Sequence, residues 1–170
     1  MRPQTQITGR MGELVAELEL LKRGWWVTNF NNATTNFIGW DLFAAKENKS
    51  IKIRIKAKRA GETMFRWNAK SNQCVLPNLR LDDTEDFVFA VSFDDSPKGH
   101  EIYIIPSAVL ETELKDNHAA WISGTKKNGD PRKNTNIRTI YIDDKPNGIS
   151  RGYLNKWKKY QEAWHLLDRI

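Results

Sequence analysis

The sequence predicts a mixed α/β domain, a central β-sheet covered by helices on both faces. Three observations lead there: a helical run near the N-terminus, a strand of strict period two in IKIRIKAK, and later strands interleaved with helical segments. At 170 residues the chain fits one ordinary domain, residues 1–170.

Thr8 is suited to cap the first helix, and Met11, Leu14, Val15, Leu18 and Leu21 recur at helical spacing until Gly24 ends it after Lys22 and Arg23. Residues 25–30 then read as a strand, NNATTN as a loop, and residues 39–45 as a second strand turning at Glu47 and Asn48. In the third strand, residues 51–58, Ile51, Ile53, Ile55 and Ala57 alternate with Lys52, Arg54, Lys56 and Lys58. One face therefore enters a core and four cations lie on the other. Residues 63–67 form a short strand, and 87–93 and 101–105 form two more, joined by the turn DDSPKG. Pro106 and Ser107 open a helix to about Lys115, with a further turn over 118–122. GTKKNGDPRKNTN is a basic loop, 137–142 a strand, and 153–167 a closing helix carrying Leu154, Trp157, Trp164 and Leu167.

Composition narrows the function. Hydrophobic residues make up 39% and charged residues 28%, which excludes a disordered chain, and no apolar run reaches the roughly 20 residues of a spanning helix. The N-terminal segment lacks the apolar stretch of a secretory signal, so the expected compartment is the cytoplasm. Cys74 is the only cysteine, which rules out an intramolecular disulfide and a thiolate zinc cluster; it reads as a small core residue. His118 and His165 have no neighbour at ligand spacing. Walker, G-x-S-x-G and Rossmann motifs are absent, which removes nucleotide hydrolases, esterases and dehydrogenases. The net charge of +6 is unevenly spread: residues 1–80 carry +8, residues 81–117 carry −8 and residues 118–170 carry +6. Basic blocks of this kind attract polyanions through phosphate contacts and counterion release.

From residue 9 to 60 the arrangement resembles the PD-(D/E)XK nuclease superfamily, the restriction-endonuclease-like fold. The helix and first strand are GELVAELELLKRGWWV, Asp41 lies in Gly39-Trp40-Asp41-Leu42, and Lys56 lies in Ile53-Arg54-Ile55-Lys56. IYIIPSAVL and YLNKWKKY extend the resemblance to small bacterial proteins of this type. The resemblance implies a metal-dependent DNA endonuclease, a hydrolase of phosphodiester bonds, with Glu13 and Asp41 as ligands of Mg2+ or Mn2+. It implies Lys56 as the group serving the attacking water, nucleic acid as the partner, and a homodimer as the form that cuts both strands. Carboxylate-held magnesium would neutralise phosphate charge and activate water.

The departure is Arg54, which stands where the family places an acidic residue or glutamine; arginine cannot ligate a cation and repels one nearby. Glu17, one turn after Glu13, is a further candidate metal ligand. Arg54, with Lys52, Lys58 and Arg59, is instead suited to phosphate, and Trp40 to stacking on bases or sugars. The alternative expectation is an inactive nuclease-fold module that binds nucleic acid or a protein partner in a defence or phage system. The simpler readings are a strand-end Asp41 facing water, a Glu13 that favours the helix dipole, solvated strand cations, and tryptophans that mostly pack.

Overall fold

The structure, a computed structural model, describes residues 4–33, 39–69, 74–76, 79, 86–142 and 153–169. Its elements run α1 (Gln4–Leu21), β1 (Trp26–Asn29), α2 (Phe30–Ala33), β2 (Leu42–Lys46), β3 (Lys49–Lys58), β4 (Met64–Asn68), β5 (Phe87–Phe93), β6 (His100–Pro106), α3 (Ser107–Ile122), β7 (Ile137–Tyr141) and α4 (Tyr153–Lys158). A 3₁₀ helix (Trp164–Arg169) follows. The main sheet has the order β1-β2-β3-β5-β6, with β3 and β5 parallel and the other pairs antiparallel. β4 and β7 form a separate antiparallel pair. This is the expected mixed α/β architecture.

Two cores lie on the two faces of the main sheet. On one face Ile51, Ile53 and Ile55 of β3 join Phe87, Phe89 and Val91 of β5 beneath Ala16 and Leu20 of α1. On the other, Val88 and Ala90 meet Leu110 and Leu114 of α3, Phe65 and Trp67 of β4, and Trp157 of α4. β5 is buried on both faces, which is why FVFAVSF is nearly continuously apolar where β3 alternates. The cations of β3 point into the second layer. Lys58 is only 4% exposed, its ammonium donating to the Glu62 carbonyl oxygen at 2.7 Å.

α1 departs from the sequence expectation at both its start and its buried face. It begins at Gln4, and the Thr8 hydroxyl, expected to cap the helix, donates to the Gln4 carbonyl oxygen within it. The buried face is Thr8, Gly12, Ala16, Glu19 and Leu20, whereas Met11, Leu14, Leu18 and Leu21 are exposed. Gly12 explains the choice: a Cβ there would lie 2.7 Å from the Cβ of Ala57, so only this small-residue face brings the helix backbone down onto β3.

Other differences have local causes. The second strand starts at Leu42, which leaves Asp41 just outside it. The helix expected in two pieces after Pro106 is continuous to Ile122. Cys74 is exposed because its neighbours Val75 and Leu76 turn inward, their amides donating to the buried Glu111 carboxylate at 2.9–3.0 Å. The closing helix expected over 153–167 is broken. The outer edge of β6 offers backbone groups that need partners, so Ile104 N–H donates to the Tyr160 carbonyl oxygen and Glu162 N–H to that of Ile102, both at 2.8 Å. Glu162 adopts φ 49° there, anchored by donation from Lys98 Nζ, Ile102 N–H and Trp164 Nε1.

Gly12→Ala should lower the unfolding free energy by about 1–3 kcal/mol, because the new methyl has to push α1 off β3. Gly9→Ala, with nothing within 4 Å of its Cβ position, should instead gain up to about 1 kcal/mol from helix propensity. Urea denaturation of both variants checks the pair, and a gain at Gly12 would show that the close approach is not limiting.

Candidate functional site

Around Asp41 the chain brings three elements together. β2 leaves β3 beyond the Leu42–Ile53 pair, so Ile55 N–H, the next donor on that edge of β3, loses its strand partner. Asp41 replaces it. Its backbone N–H donates to the Ile53 carbonyl oxygen at 2.8 Å and its Oδ2 accepts from Ile55 N–H at 2.6 Å. The carboxylate is almost wholly buried, with Arg54 Nε 3.5 Å from the same Oδ2.

Asn31 connects this carboxylate to α1. β1 ends at Asn29, whose Oδ1 accepts from Asn31 N–H at 3.0 Å in an Asx turn that opens α2. The turn aims Asn31 Nδ2 at two acceptors, Glu13 Oε1 at 2.8 Å and Asp41 Oδ1 at 3.1 Å. Glu13 Oε2 accepts from Arg10 at 2.9 Å and from Asn29 Nδ2 at 3.4 Å. Glu13 and Asp41, the two carboxylates singled out by the resemblance, are therefore bridged by Asn31, a residue that reads as loop in the sequence. The doublet Asn31-Asn32 after a strand was the available signal, since asparagine favours such turns. Glu17 takes no part in this network.

Arg54 and Lys56 project from β3 on the side opposite Ile55. With Gly39, Trp67, Asn68, Val75 and Leu76 they line a cleft of about 220 Å³. Both charged side chains of that lining are hydrogen-bond donors. Burial, together with the Arg54 charge, pushes the Lys56 ammonium below the ordinary lysine range, while Asp41 opposes the shift. The Lys56 ammonium lies 5.9 Å from the centre of the Trp67 ring, and Trp67 forms the buried floor. Such a cleft suits a phosphate, with a planar fork from Arg54 and a point charge from Lys56.

The other candidate residues are more dispersed. Lys52 sits 4.6 Å over the half-buried Trp40 ring, Lys58 is buried beside Phe65, and Arg59 pairs with Glu62 at 3.7 Å. Among the other tryptophans, Trp25 and Trp67 are buried and Trp26 is 82% exposed.

Glu13 and Asp41 offer carboxylate oxygens, but each of those oxygens already receives an N–H donor and Arg54 stands at Asp41. Among the described residues no group of three or more His, Cys, Asp or Glu side chains is placed to hold a metal. As arranged, the residues do not fit magnesium.

No protein-family model matches the chain, and no curated protein matches it. Among solved structures it is similar to the bacterial homing endonuclease I-Ssp6803I, with 17% identity, a TM-score of 0.53, and coverage of 98% of this chain and 95% of that one. The likeness shows that the two chains share an α/β fold. Among the described residues no helix is long and apolar enough to cross a membrane.

Asp41→Ala should cost about 2–3 kcal/mol, since it strands the buried Ile55 amide, whereas Asp41→Asn, which keeps an acceptor, should cost about 1 kcal/mol. Equal losses in chemical denaturation would mean that charge, not the amide contact, makes Asp41 structural. Lys56→Met should raise stability at neutral pH by about 1 kcal/mol, or roughly 2–4 °C in melting temperature. The sign follows from the lowered folded-state pKa: the unfolded chain holds the proton more tightly, so charged Lys56 opposes folding at neutral pH. That opposition fades as pH rises towards the unfolded lysine value of about 10.4, and the variant's advantage should shrink with it. Thermal melts from pH 7 to pH 10 measure this, and a Lys56→Met protein less stable at pH 7 would contradict it.

Proposed function

We propose that the chain, residues 1–170 taken as one nuclease-like domain of PD-(D/E)XK type, is a DNA-binding protein that takes a backbone phosphate into the Arg54–Lys56 cleft. The observation that carries this reading is the pairing of Arg54 and Lys56 as the charged groups of a cleft whose lining includes no acidic side chain among the described residues. The shared fold with a solved homing endonuclease supports nucleic acid as the polyanion, as does the charge of +8 over residues 1–80. Arg54 offers two parallel N–H donors to phosphate oxygens and Lys56 adds charge in a partly desolvated setting, so each contributes more than an exposed cation. Binding of this type releases counterions and weakens with salt.

A second reading, metal-dependent phosphodiester hydrolysis with Mg2+ or Mn2+, is favoured by the convergence of Glu13 and Asp41 on Asn31 beside a lysine of lowered pKa. Glu13 and Asp41 would be its metal ligands and Lys56 the group that takes a proton from water. It requires the carboxylates to give up the N–H donors they now hold.

Fluorescence anisotropy with duplex and single-stranded DNA, run from 50 to 200 mM salt, tests the binding reading. Arg54→Ala with Lys56→Ala should weaken binding at least 10-fold and lower the slope of log K against log salt by about 2. Unchanged affinity and slope would overturn it. Plasmid cleavage in Mg2+ or Mn2+ that disappears in both Asp41→Asn and Lys56→Met would establish the second reading instead.

A further inference from the structure

α1 has two apolar faces, and the main sheet covers only one. On the outer face Ile7, Met11, Leu14, Leu18 and Leu21 are each 46–52% exposed, at alternating intervals of four and three residues. That alternation is the seam spacing of a two-stranded coiled coil, in which each apolar side chain enters a space between four on the facing helix. The opposite face of a helix already docked on a sheet needs no such repeat, and a soluble surface seldom exposes five large apolar residues in one line.

We propose that a second copy of this chain covers the stripe, α1 packing antiparallel on its counterpart about a two-fold axis. A two-fold pairing needs a self-complementary surface, and this one is. When Met11 faces the partner's Leu14 and Ile7 the partner's Leu18, Arg10 comes beside the partner's Glu17, and the contact repeats by symmetry. Sliding the pairing by one heptad would set Glu17 against the partner's Glu17, which repels. Glu17 has no ion pair among the described residues. Arg10 spends one of its five N–H donors on Glu13, so it has donors left for a second carboxylate. The five apolar side chains, each about half exposed, supply on the order of 400 Å² per copy, about half of the roughly 800 Å² per partner of a standard interface.

Sedimentation velocity on the full chain between about 1 and 50 μM tests this. The wild type should sediment as a dimer, and Leu14→Arg and Leu18→Glu should each halve the mass without changing the far-ultraviolet circular dichroism. Glu17→Arg should weaken the dimer at least 10-fold, and adding Arg10→Glu should restore it, because the swapped charges again face each other only in the antiparallel register. A monomer throughout the range would overturn the proposal, as would dimers that persist in both leucine variants or a double charge swap without recovery. DNA affinity is not read in this assay, so its outcome is separate from that of the Arg54–Lys56 cleft.

Discussion

The structure depends on keeping β3 hydrogen-bonded along its length while the strands beside it are shorter. Two aspartates do this, one on each edge. Where β2 diverges, Asp41 Oδ2 accepts the Ile55 amide. Where β5 has not yet begun, the buried Asp86 accepts the Lys52 amide at 2.9 Å. Each carboxylate stands in for a missing strand residue, since a buried amide without an acceptor costs far more than the hydrogen bond gains. The Asp41 cap has the larger consequence. It lets β2 end at Leu42, and Gly39, two residues before Asp41, lines the cleft together with Arg54 and Lys56.

A carboxylate buried for this purpose needs its charge answered. Arg54 and Asn31 answer it, which ties the chemistry of the cleft to the integrity of the sheet. The same arrangement bears on what the cleft can take. With each oxygen of Glu13 and Asp41 facing N–H groups, the exposed chemistry left over is cationic, and it favours an anion over a metal. Aromatic rings beside Lys52, Lys56 and Lys58 help accommodate the β3 cations in a layer that is only partly wet.

Legibility in the sequence followed the range of the interaction. β5 was read to the residue and β3, β4, β6 and β7 to within two, because period-two patterning and turn residues are local. Asp41, Arg54 and Lys56 stand out through the resemblance to the nuclease pattern, and the structure sets Arg54 Nε 3.5 Å from Asp41 Oδ2. What escaped was decided by distant partners. Helical spacing in α1 cannot say which of two apolar faces packs, and Gly12 against Ala57 settles it across 45 positions of sequence. Asn31 looked like loop because its role exists only once Glu13 and Asp41 flank it. The C-terminal helix carried a sound pattern through Gln161 and Glu162, but the unpaired edge of β6 competed for those backbone groups and prevailed.

The two faces of α1 are not independent. Gly12 draws the helix onto β3, and that approach carries Glu13 to the reach of Asn31 while turning Leu14 and Leu18 to the outside. A larger residue at position 12 would disturb the carboxylate network and the outer stripe by one displacement. Arg10 marks the connection, since its guanidinium holds Glu13 on one side and lies beside the apolar stripe on the other, with its side chain 37% exposed. Anything that covers the stripe dries the Arg10–Glu13 pair and strengthens it, because partly buried charges are screened less than exposed ones. Occupancy of the outer face therefore stiffens the chain of contacts from Arg10 through Glu13 and Asn31 to Asp41, the carboxylate that caps β3 beside the cleft.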